Sequence, residues 1–174
     1  MTVHVLRIGH RLVRDDRVTT HAALVARAFG AEKIYMTGID QSVAETVAGV
    51  GERWGGKFEV EIVPDWKAVA KGWKKAGGAI AHLTMYGIGI ESAAQALRKK
   101  KDILVIIGSE KVPREAYELA DFNVSVGSQP HSEIAALAIF LDRIFKGREL
   151  QKKFTGGKLK IIPSERGKLV EESK

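Results

Sequence analysis

Short apolar runs alternate with hydrophobic stripes of helical period along most of the chain, and these two patterns predict strands and helices respectively. The predicted strands are Val3–Ile8, Lys33–Met36, Phe58–Val63, Gly78–Leu83, Asp102–Ile107 and Asp121–Val126. The predicted helices are 19–29, 41–54, 64–75, 91–98 and 131–145. The fourth and fifth strands are almost wholly apolar, so both of their faces should be buried. This order predicts an α/β fold with a mainly parallel sheet between helix layers.

Residues at the helix ends add local predictions. Thr19 or Thr20 is the expected N-cap of the first helix, and Gly30 should end it. Ser42 and Glu45 have the spacing of a capping box at the start of the second helix.

The last predicted helix is apolar around its whole circumference, because residues 134–141 read IAALAIFL. Either the helix is enclosed in its own domain, or its outer face packs against a second copy of the chain. We favour the second alternative, a homodimer. Beyond this helix, glycines flank KLKIIPSER between Phe154 and Val170, a pattern that predicts a basic hairpin. We therefore expect one domain over 1–150, with an extension over 151–174 packed on it.

Composition narrows the class of protein. The 174 residues suit a single domain of ordinary size, and the absence of cysteine excludes disulfides and thiolate metal sites. The longest segment free of Asp, Glu, Lys and Arg lies between Lys75 and Glu91, and it is too short and too rich in glycine to cross a membrane. At the amino terminus the charges follow a short apolar run, which reverses the order of a secretory signal. The expected location is cytoplasmic.

The net charge of +7 is unevenly distributed. Residues 143–174 alone carry +6, and an arginine cluster near the start consists of Arg7, Arg11, Arg14 and Arg17. Arginine pairs well with phosphate oxygens, so the charge indicates a polyanion as partner without distinguishing RNA from DNA. A solvated basic surface is the alternative.

Candidate chemistry lies in the loops that follow the first, fourth, fifth and sixth strands, because parallel sheets bind ligands at the carboxyl ends of their strands. Gly87 and Gly89 resemble a dinucleotide-binding motif only weakly, since the third glycine is replaced by Ser92. There is no Gly-Lys-Ser/Thr phosphate loop, and the histidines lack the spacing of metal ligands, so no metal site is expected. The loops at Gly108 and Gly127 share a glycine, small polar residues and a helix-starting proline. They suit an uncharged aromatic ring such as adenine, or they are ordinary turns.

Three segments carry a resemblance to a known family: LRIGHRLVRDDRVTTHAALVARAFGA (6–31), IIGSEKVP (106–113) and VSVGSQPHSEIAALAIFLDR (124–143). Together they make the chain similar to the archaeal tRNA cytidine-56 ribose 2′-O-methyltransferases of the SPOUT superfamily. The resemblance implies S-adenosylmethionine as methyl donor, tRNA as substrate, a homodimer and a trefoil knot in the carboxyl-terminal part. It places the donor against three loops, formed by Leu83, Thr84, Gly108, Ser109, Glu110, Lys111, Val112, Val126, Gly127, Ser128, Gln129, Pro130, His131, Ser132 and Glu133.

The catalytic residues implied by the resemblance do not fully match. Related SPOUT enzymes place an arginine and an asparagine ahead of an Ala-Phe-Gly, where this chain has Leu24 and Val18. Arg17 is therefore the first candidate to bind phosphate and stabilise developing charge, and His21 is the second. Arg7, Arg11 and Arg14 are assigned to RNA binding.

Two other functions stay open at this point. The first is a non-catalytic RNA-binding protein of the same fold, and the second is a nicotinamide-dependent enzyme using Gly87 and Gly89. Nor does the sequence decide whether the hairpin contacts RNA or shields the cofactor, which group accepts the proton, or whether the active site is shared between subunits.

Overall fold

The computed structural model describes residues 1–9, 16–108 and 111–173, with only the backbone of Asp16 included. Within these residues the strands are β1 (Thr2–Ile8), β2 (Lys33–Met36), β3 (Glu59–Ile62), β4 (Ala79–Gly89), β5 (Asp102–Gly108), β6 (Phe122–Ser125), β7 (Leu159–Ile162) and β8 (Leu169–Glu172). The helices are α1 (Asp16–Ala28), α2 (Gln41–Trp54), α3 (Trp66–Lys75), α4 (Ile90–Leu97), α5 (Arg114–Leu119) and α6 (Glu133–Phe145), followed by a 3₁₀ turn at Arg148–Gln151.

Six strands form one sheet in the order β3-β2-β1-β5-β4-β6, and every neighbouring pair is parallel. β5 lies between β1 and β4, so the strand order reverses beside β1. The predicted α/β fold with a parallel sheet between helix layers is confirmed. This order also brings the carboxyl ends of β1, β5, β4 and β6 side by side along one edge of the sheet.

Two hydrophobic layers cover the sheet. On one face, buried residues of α1, α2, α4 and α6 pack on β1, β4 and β5. On the other face, residues of α3 and α5 pack around Leu6, Ile80, Leu104 and Ile106. Residues 79–83 of β4 and 103–107 of β5 are all buried, as the apolar runs predicted.

The helix boundaries correct two cap predictions. α1 begins at Asp16, so Thr19 lies buried inside the helix and neither Thr19 nor Thr20 is its N-cap. The N-cap of α2 is Asp40, whose Oδ1 accepts a hydrogen bond from the Ser42 amide at 2.8 Å, and not Ser42 itself. Gly30 does end α1, with a φ of 94° that favours glycine.

The carboxyl-terminal segment forms the predicted hairpin, because β7 and β8 pair in antiparallel fashion. Its base is attached to α2. The Gly56 amide donates to the Thr155 carbonyl at 2.8 Å, and the Lys158 amide donates to the Glu52 carbonyl at 3.2 Å. The Phe154 ring stacks under the Arg27 guanidinium, 4.7 Å from the ring centre.

Candidate active site at the carboxyl ends of three strands

A pocket of about 650 Å³ opens where β4, β5 and β6 end. Described residues predicted to bind the cofactor supply much of its lining: Leu83, Thr84, Gly108, Lys111, Val112, Val126, Gln129, Pro130, His131, Ser132 and Glu133. The loops after three strands therefore converge on one cavity. Gly127 and Ser128 are exposed in the turn beside it and do not line it. Ser109 and Glu110 lie outside the described residues.

Several lining residues are not among those predicted to bind the cofactor, namely His82, Met85, Tyr86, Ile107, Arg114, Tyr117 and Ala136. Of these, Met85 and Tyr86 lie in the loop after the predicted fourth strand, where candidate chemistry was expected. Most of them lie close in sequence to predicted residues. Tyr117 comes from the short helix α5, whose position only the folded chain reveals. His82 and Ile107 lie at the ends of the predicted fourth and fifth strands, so extending each loop back into its strand includes them.

The wall formed by β4 has an irregular backbone. Leu83 and Ile88 both pair with Val124 of β6, so residues 84–87 loop out of the sheet between them. This loop presents Met85 and Tyr86 to the pocket, and Tyr86 is 78 % exposed. Gly87 passes directly against the β6 backbone. It therefore serves strand packing, and its place at the end of β4 does not match a dinucleotide-binding turn between a first strand and a first helix.

A hydrogen-bonded cluster supports the same wall from below. The His82 side chain is buried, and its Nδ1 is hydrogen-bonded to Asn123 Oδ1 at 2.9 Å. The His82 ring also lies edge-on to the Tyr117 ring. Asn123 Nδ2 donates to the Tyr117 carbonyl at 3.0 Å, and the Tyr117 and Thr84 hydroxyls are 3.1 Å apart. Burial lowers the pKa of His82 below its ordinary value of 6.5, and the bond to Asn123 offsets part of this effect. The ring therefore stays neutral at neutral pH.

The third loop turns sharply at Gly127, whose φ of 75° favours glycine. His131 Nε2 lies in hydrogen-bond contact with the Val126 carbonyl and closes the turn. Ser132 then caps α6, since its Oγ accepts from the Ile134 amide at 3.2 Å. This N-cap places Glu133 in the first turn of α6, at the pocket.

Glu133 is held by Arg7, and this contact corrects a prediction. Arg7 Nε and Nη2 donate to Glu133 Oε1 at 3.1 and 2.9 Å, and Nη1 donates to the Gly9 carbonyl at 3.1 Å. The Arg7 side chain is fully buried, with 0 % exposure. An arginine enclosed in this way cannot reach a phosphate outside the protein, so the prediction that Arg7 contacts RNA is wrong. Arg11 and Arg14 lie outside the described residues.

Arg17 and His21 are exposed on the first turns of α1, four positions apart and thus on the same side of the helix. Neither lines the 650 Å³ pocket of its own chain. A second, wider pocket of about 780 Å³ lies between α2 and the base of the hairpin, and it contains none of the predicted cofactor or catalytic residues.

Comparison with known proteins identifies the family of the chain. A family model described as "tRNA ribose 2′-O-methyltransferase, aTrm56" matches residues 54–171. The chain belongs to this family of tRNA ribose 2′-O-methyltransferases.

Relatives whose names give the same activity as the family are similar to this chain over nearly its full length. A "tRNA (cytidine(56)-2′-O)-methyltransferase" of Nitrosopumilus maritimus is 56 % identical, covering 98 % of this chain and 97 % of the relative. A protein of the same name from Thermofilum pendens is 57 % identical, covering 97 % of this chain and 94 % of the relative. One from Methanopyrus kandleri is 53 % identical, covering 96 % and 94 %.

Solved structures share the fold at low sequence identity. An RNA 2′-O ribose methyltransferase superposes with a TM-score of 0.64 at 16 % identity, with 84 % of this chain and 57 % of that chain covered. The TrmH/SpoU tRNA modifying enzyme of A. aeolicus gives a TM-score of 0.58 at 16 % identity, with 86 % and 76 % covered. An AdoMet-bound rRNA methyltransferase from Sinorhizobium meliloti gives 0.58 at 17 % identity, with 84 % and 56 % covered. This chain therefore has the fold of the SpoU/TrmH group of SPOUT methyltransferases.

Proposed function

We propose that this aTrm56-family protein transfers a methyl group from S-adenosylmethionine to the ribose 2′-hydroxyl of cytidine 56 in tRNA. The observation that carries the proposal is the convergence of the three predicted donor-binding loops on one pocket. The tRNA and the position of the nucleotide come from the names of relatives more than 50 % identical over nearly the whole chain.

The residues of the pocket fit this donor. The apolar side chains of Leu83, Val112 and Val126 suit an adenine ring. Glu133 supplies a carboxylate oxygen, which suits the amino group of the methionine part. S-adenosylmethionine supplies an electrophilic methyl group on sulfonium, and the protein orients it toward the incoming 2′-oxygen.

The acceptor side depends on Arg17 in this proposal. Its guanidinium binds the phosphate beside the target ribose and stabilises the negative charge that develops on the 2′-oxygen. An arginine is a poor proton acceptor because its guanidinium is already protonated. His21, one turn further along α1, is the second candidate for contact with the reacting nucleotide.

A homodimer with shared active sites accounts for the position of Arg17 and His21 outside their own chain's pocket. On α6, Ile139 is 42 % exposed while Leu137, Phe140 and Leu141 are buried. Met85, Tyr86 and Ile88 add exposed apolar surface at the end of β4. We propose that a second copy covers part of this surface and brings its α1 to the pocket. The proposal also includes the knot of the carboxyl-terminal loops and a cytoplasmic location.

The decisive experiment is methyl transfer to unmodified tRNA. Purified protein, tritiated S-adenosylmethionine and a tRNA transcript with C56 are incubated, and the modified nucleotide is mapped by mass spectrometry. We expect one methyl group on the 2′-oxygen of C56, and a transcript carrying 2′-deoxycytidine at that position should remain unlabelled.

The non-catalytic alternative predicts tRNA binding without methyl transfer and without a calorimetric signal for S-adenosylmethionine. Such a result, with protein of native fold, would overturn the proposed activity.

Sharing of the active site has its own test. Arg17→Ala and Gly108→Val each remove one half of a composite site, so either variant alone should be inactive. Mixed dimers of the two variants contain one site with both halves intact and should regain activity. If each site belongs to a single chain, mixing restores nothing.

A further inference from the structure

Arg7 is a charged residue in the interior of the sheet. It lies on β1, where it pairs with Met36 of β2 on one side and Ile107 of β5 on the other. Its side chain is fully buried. Burying a guanidinium is costly unless hydrogen bonds and opposite charge compensate the lost hydration, so the partners of Arg7 indicate its role.

The partners of Arg7 among the described residues belong to two different parts of the proposed site. Two N–H groups bind one oxygen of Glu133, which lines the pocket and is 126 positions away in the sequence. A third N–H binds the carbonyl of Gly9, the residue that follows β1 and starts the connection to α1. A lysine can keep only part of these contacts, because its single ammonium group lacks the planar, forked donors of arginine.

We infer that Arg7 is a positioning residue that fixes the Glu133 carboxylate in the wall of the donor pocket and fixes the start of the segment leading to Arg17 and His21. The inference rests on the proposed function, and it replaces the predicted RNA contact of Arg7. Glu133 then contacts the methyl donor, whereas Arg7 acts through Glu133 and Gly9 without touching either substrate.

The two contacts predict a characteristic pattern of defects. Glu133→Gln removes the carboxylate charge and leaves the Gly9 contact in place, so it should weaken donor binding and slow single-turnover transfer at saturating donor less than Arg7→Met does. Arg7→Met removes both contacts, so it should weaken donor binding and also slow that transfer. Because both variants act on donor binding through the same carboxylate, the double variant should bind the donor no more weakly than the worse single variant.

The experiment measures the S-adenosylmethionine Kd by calorimetry without tRNA, and the single-turnover rate of tRNA methylation at saturating donor. For each single variant we expect a rise in Kd of about 10- to 100-fold, the range found when residues that orient a ligand-binding group are removed in metal sites. Arg7→Lys should lie between wild type and Arg7→Met. Adding methylguanidinium at millimolar concentration to Arg7→Ala should restore part of the donor binding, and it should not do so for Glu133→Gln.

Arg27→Met is the matched control for a purely structural effect. Arg27 is also buried, donates to the Gly55 carbonyl and stacks on Phe154, but it does not line the donor pocket. Arg27→Met should lower the thermal unfolding temperature with little change in donor Kd. If Arg7→Met and Arg27→Met lose stability alike and both keep the wild-type Kd, Arg7 is structural and the inference is wrong.

If Arg7→Met does not fold, Glu133→Gln still tests the role of Arg7. Glu133→Gln preserves side-chain size and the Ser132 cap, and a wild-type Kd in this variant also overturns the inference. The wild-type protein distinguishes the two proposals. A wild-type protein without donor binding refutes the proposed function and the inference together, whereas wild-type activity with unaffected variants refutes the inference alone.

Discussion

Gly87→Ala perturbs the contact between β4 and β6 that forms one wall of the pocket. A Cβ at Gly87 would lie 2.4 Å from the carbonyl carbon and oxygen of Asn123 and 2.5 Å from the Val124 nitrogen. Carbon atoms in favourable contact are about 3.5–4.0 Å apart, so the two backbones must separate by about 1 Å. Because the obstacles are backbone atoms of a paired strand, rotation of a side chain cannot relieve the overlap.

The magnitude follows from the cost of overpacking. Forcing extra atoms into a well-packed interior costs about 1–3 kcal/mol. For a chain of this size, each 1 kcal/mol lowers the unfolding temperature by about 2–4 °C. Gly87→Ala should therefore unfold at a temperature about 2–12 °C below wild type. The 84–87 loop should also shift, and since Met85 and Tyr86 line the pocket, donor affinity should fall as well.

Gly89→Ala provides the matched control two residues away. A Cβ at Gly89 would meet nothing within 4 Å, and its φ of −58° and ψ of 140° are allowed for alanine. Replacing a glycine N-cap by alanine costs up to about 1 kcal/mol. A gain of about 0.4–1 kcal/mol from reduced freedom of the unfolded chain offsets this cost.

Differential scanning calorimetry on both variants, together with donor titration, measures the effect. If Gly87→Ala unfolds within about 1 °C of Gly89→Ala and binds the donor as well as wild type does, the packing argument at this wall is refuted. Such a result would require β4 and β6 to be further apart at this point than the structure places them.

Three further changes test the site. Arg17→Ala should abolish single-turnover methylation while the donor Kd stays within about twofold of wild type, a change of no more than ~0.4 kcal/mol. Unchanged turnover would show that Arg17 does not act in the reaction. Gly108→Val places a branched side chain in the pocket wall, so it should raise the donor Kd at least tenfold, about 1.4 kcal/mol. Normal donor affinity in this variant would show that the donor binds elsewhere. His82→Gln tests pH dependence: burial lowers the His82 pKa, so below 6.5 the unfolded chain binds a proton that the folded state does not. Urea unfolding at pH 5–8 measures the free energy of unfolding. Wild type should lose up to about 1.4 kcal/mol per pH unit below 6.5 relative to the variant, and above pH 7.5 the difference between the two proteins should stay constant; parallel profiles over the whole range would contradict the assignment.

Much of the sheet could be predicted because its signal is local. Lys33–Met36 and Gln41–Trp54 have the predicted boundaries, since a strand or helix that buries one face repeats its apolar residues with a fixed period. Helix starts were less predictable. Asp40 and Ser42 are both good caps, and only the extended backbone at Asp40 decides between them.

The length of β4 was also underestimated. The apolar run predicts an end at Leu83, whereas the strand continues to Gly89 through the exposed loop at 84–87. The continuation depends on pairing with β6, about 40 residues later in the chain, so the local pattern carries no signal for it.

The loops that line the pocket could be predicted from sequence because parallel strands place their carboxyl ends at one edge, and because the glycine-containing segments resemble the family. Sequence alone thus determined the fold class, the loops that meet and the family to which the chain belongs. The tertiary structure decided the environment of each charge. Arg7 and Arg17 are both arginines near the amino terminus, yet one is buried against Glu133 and the other is exposed on α1. The physical reason is that burial of a side chain depends on contacts between segments distant in sequence, which the period of hydrophobic residues does not record.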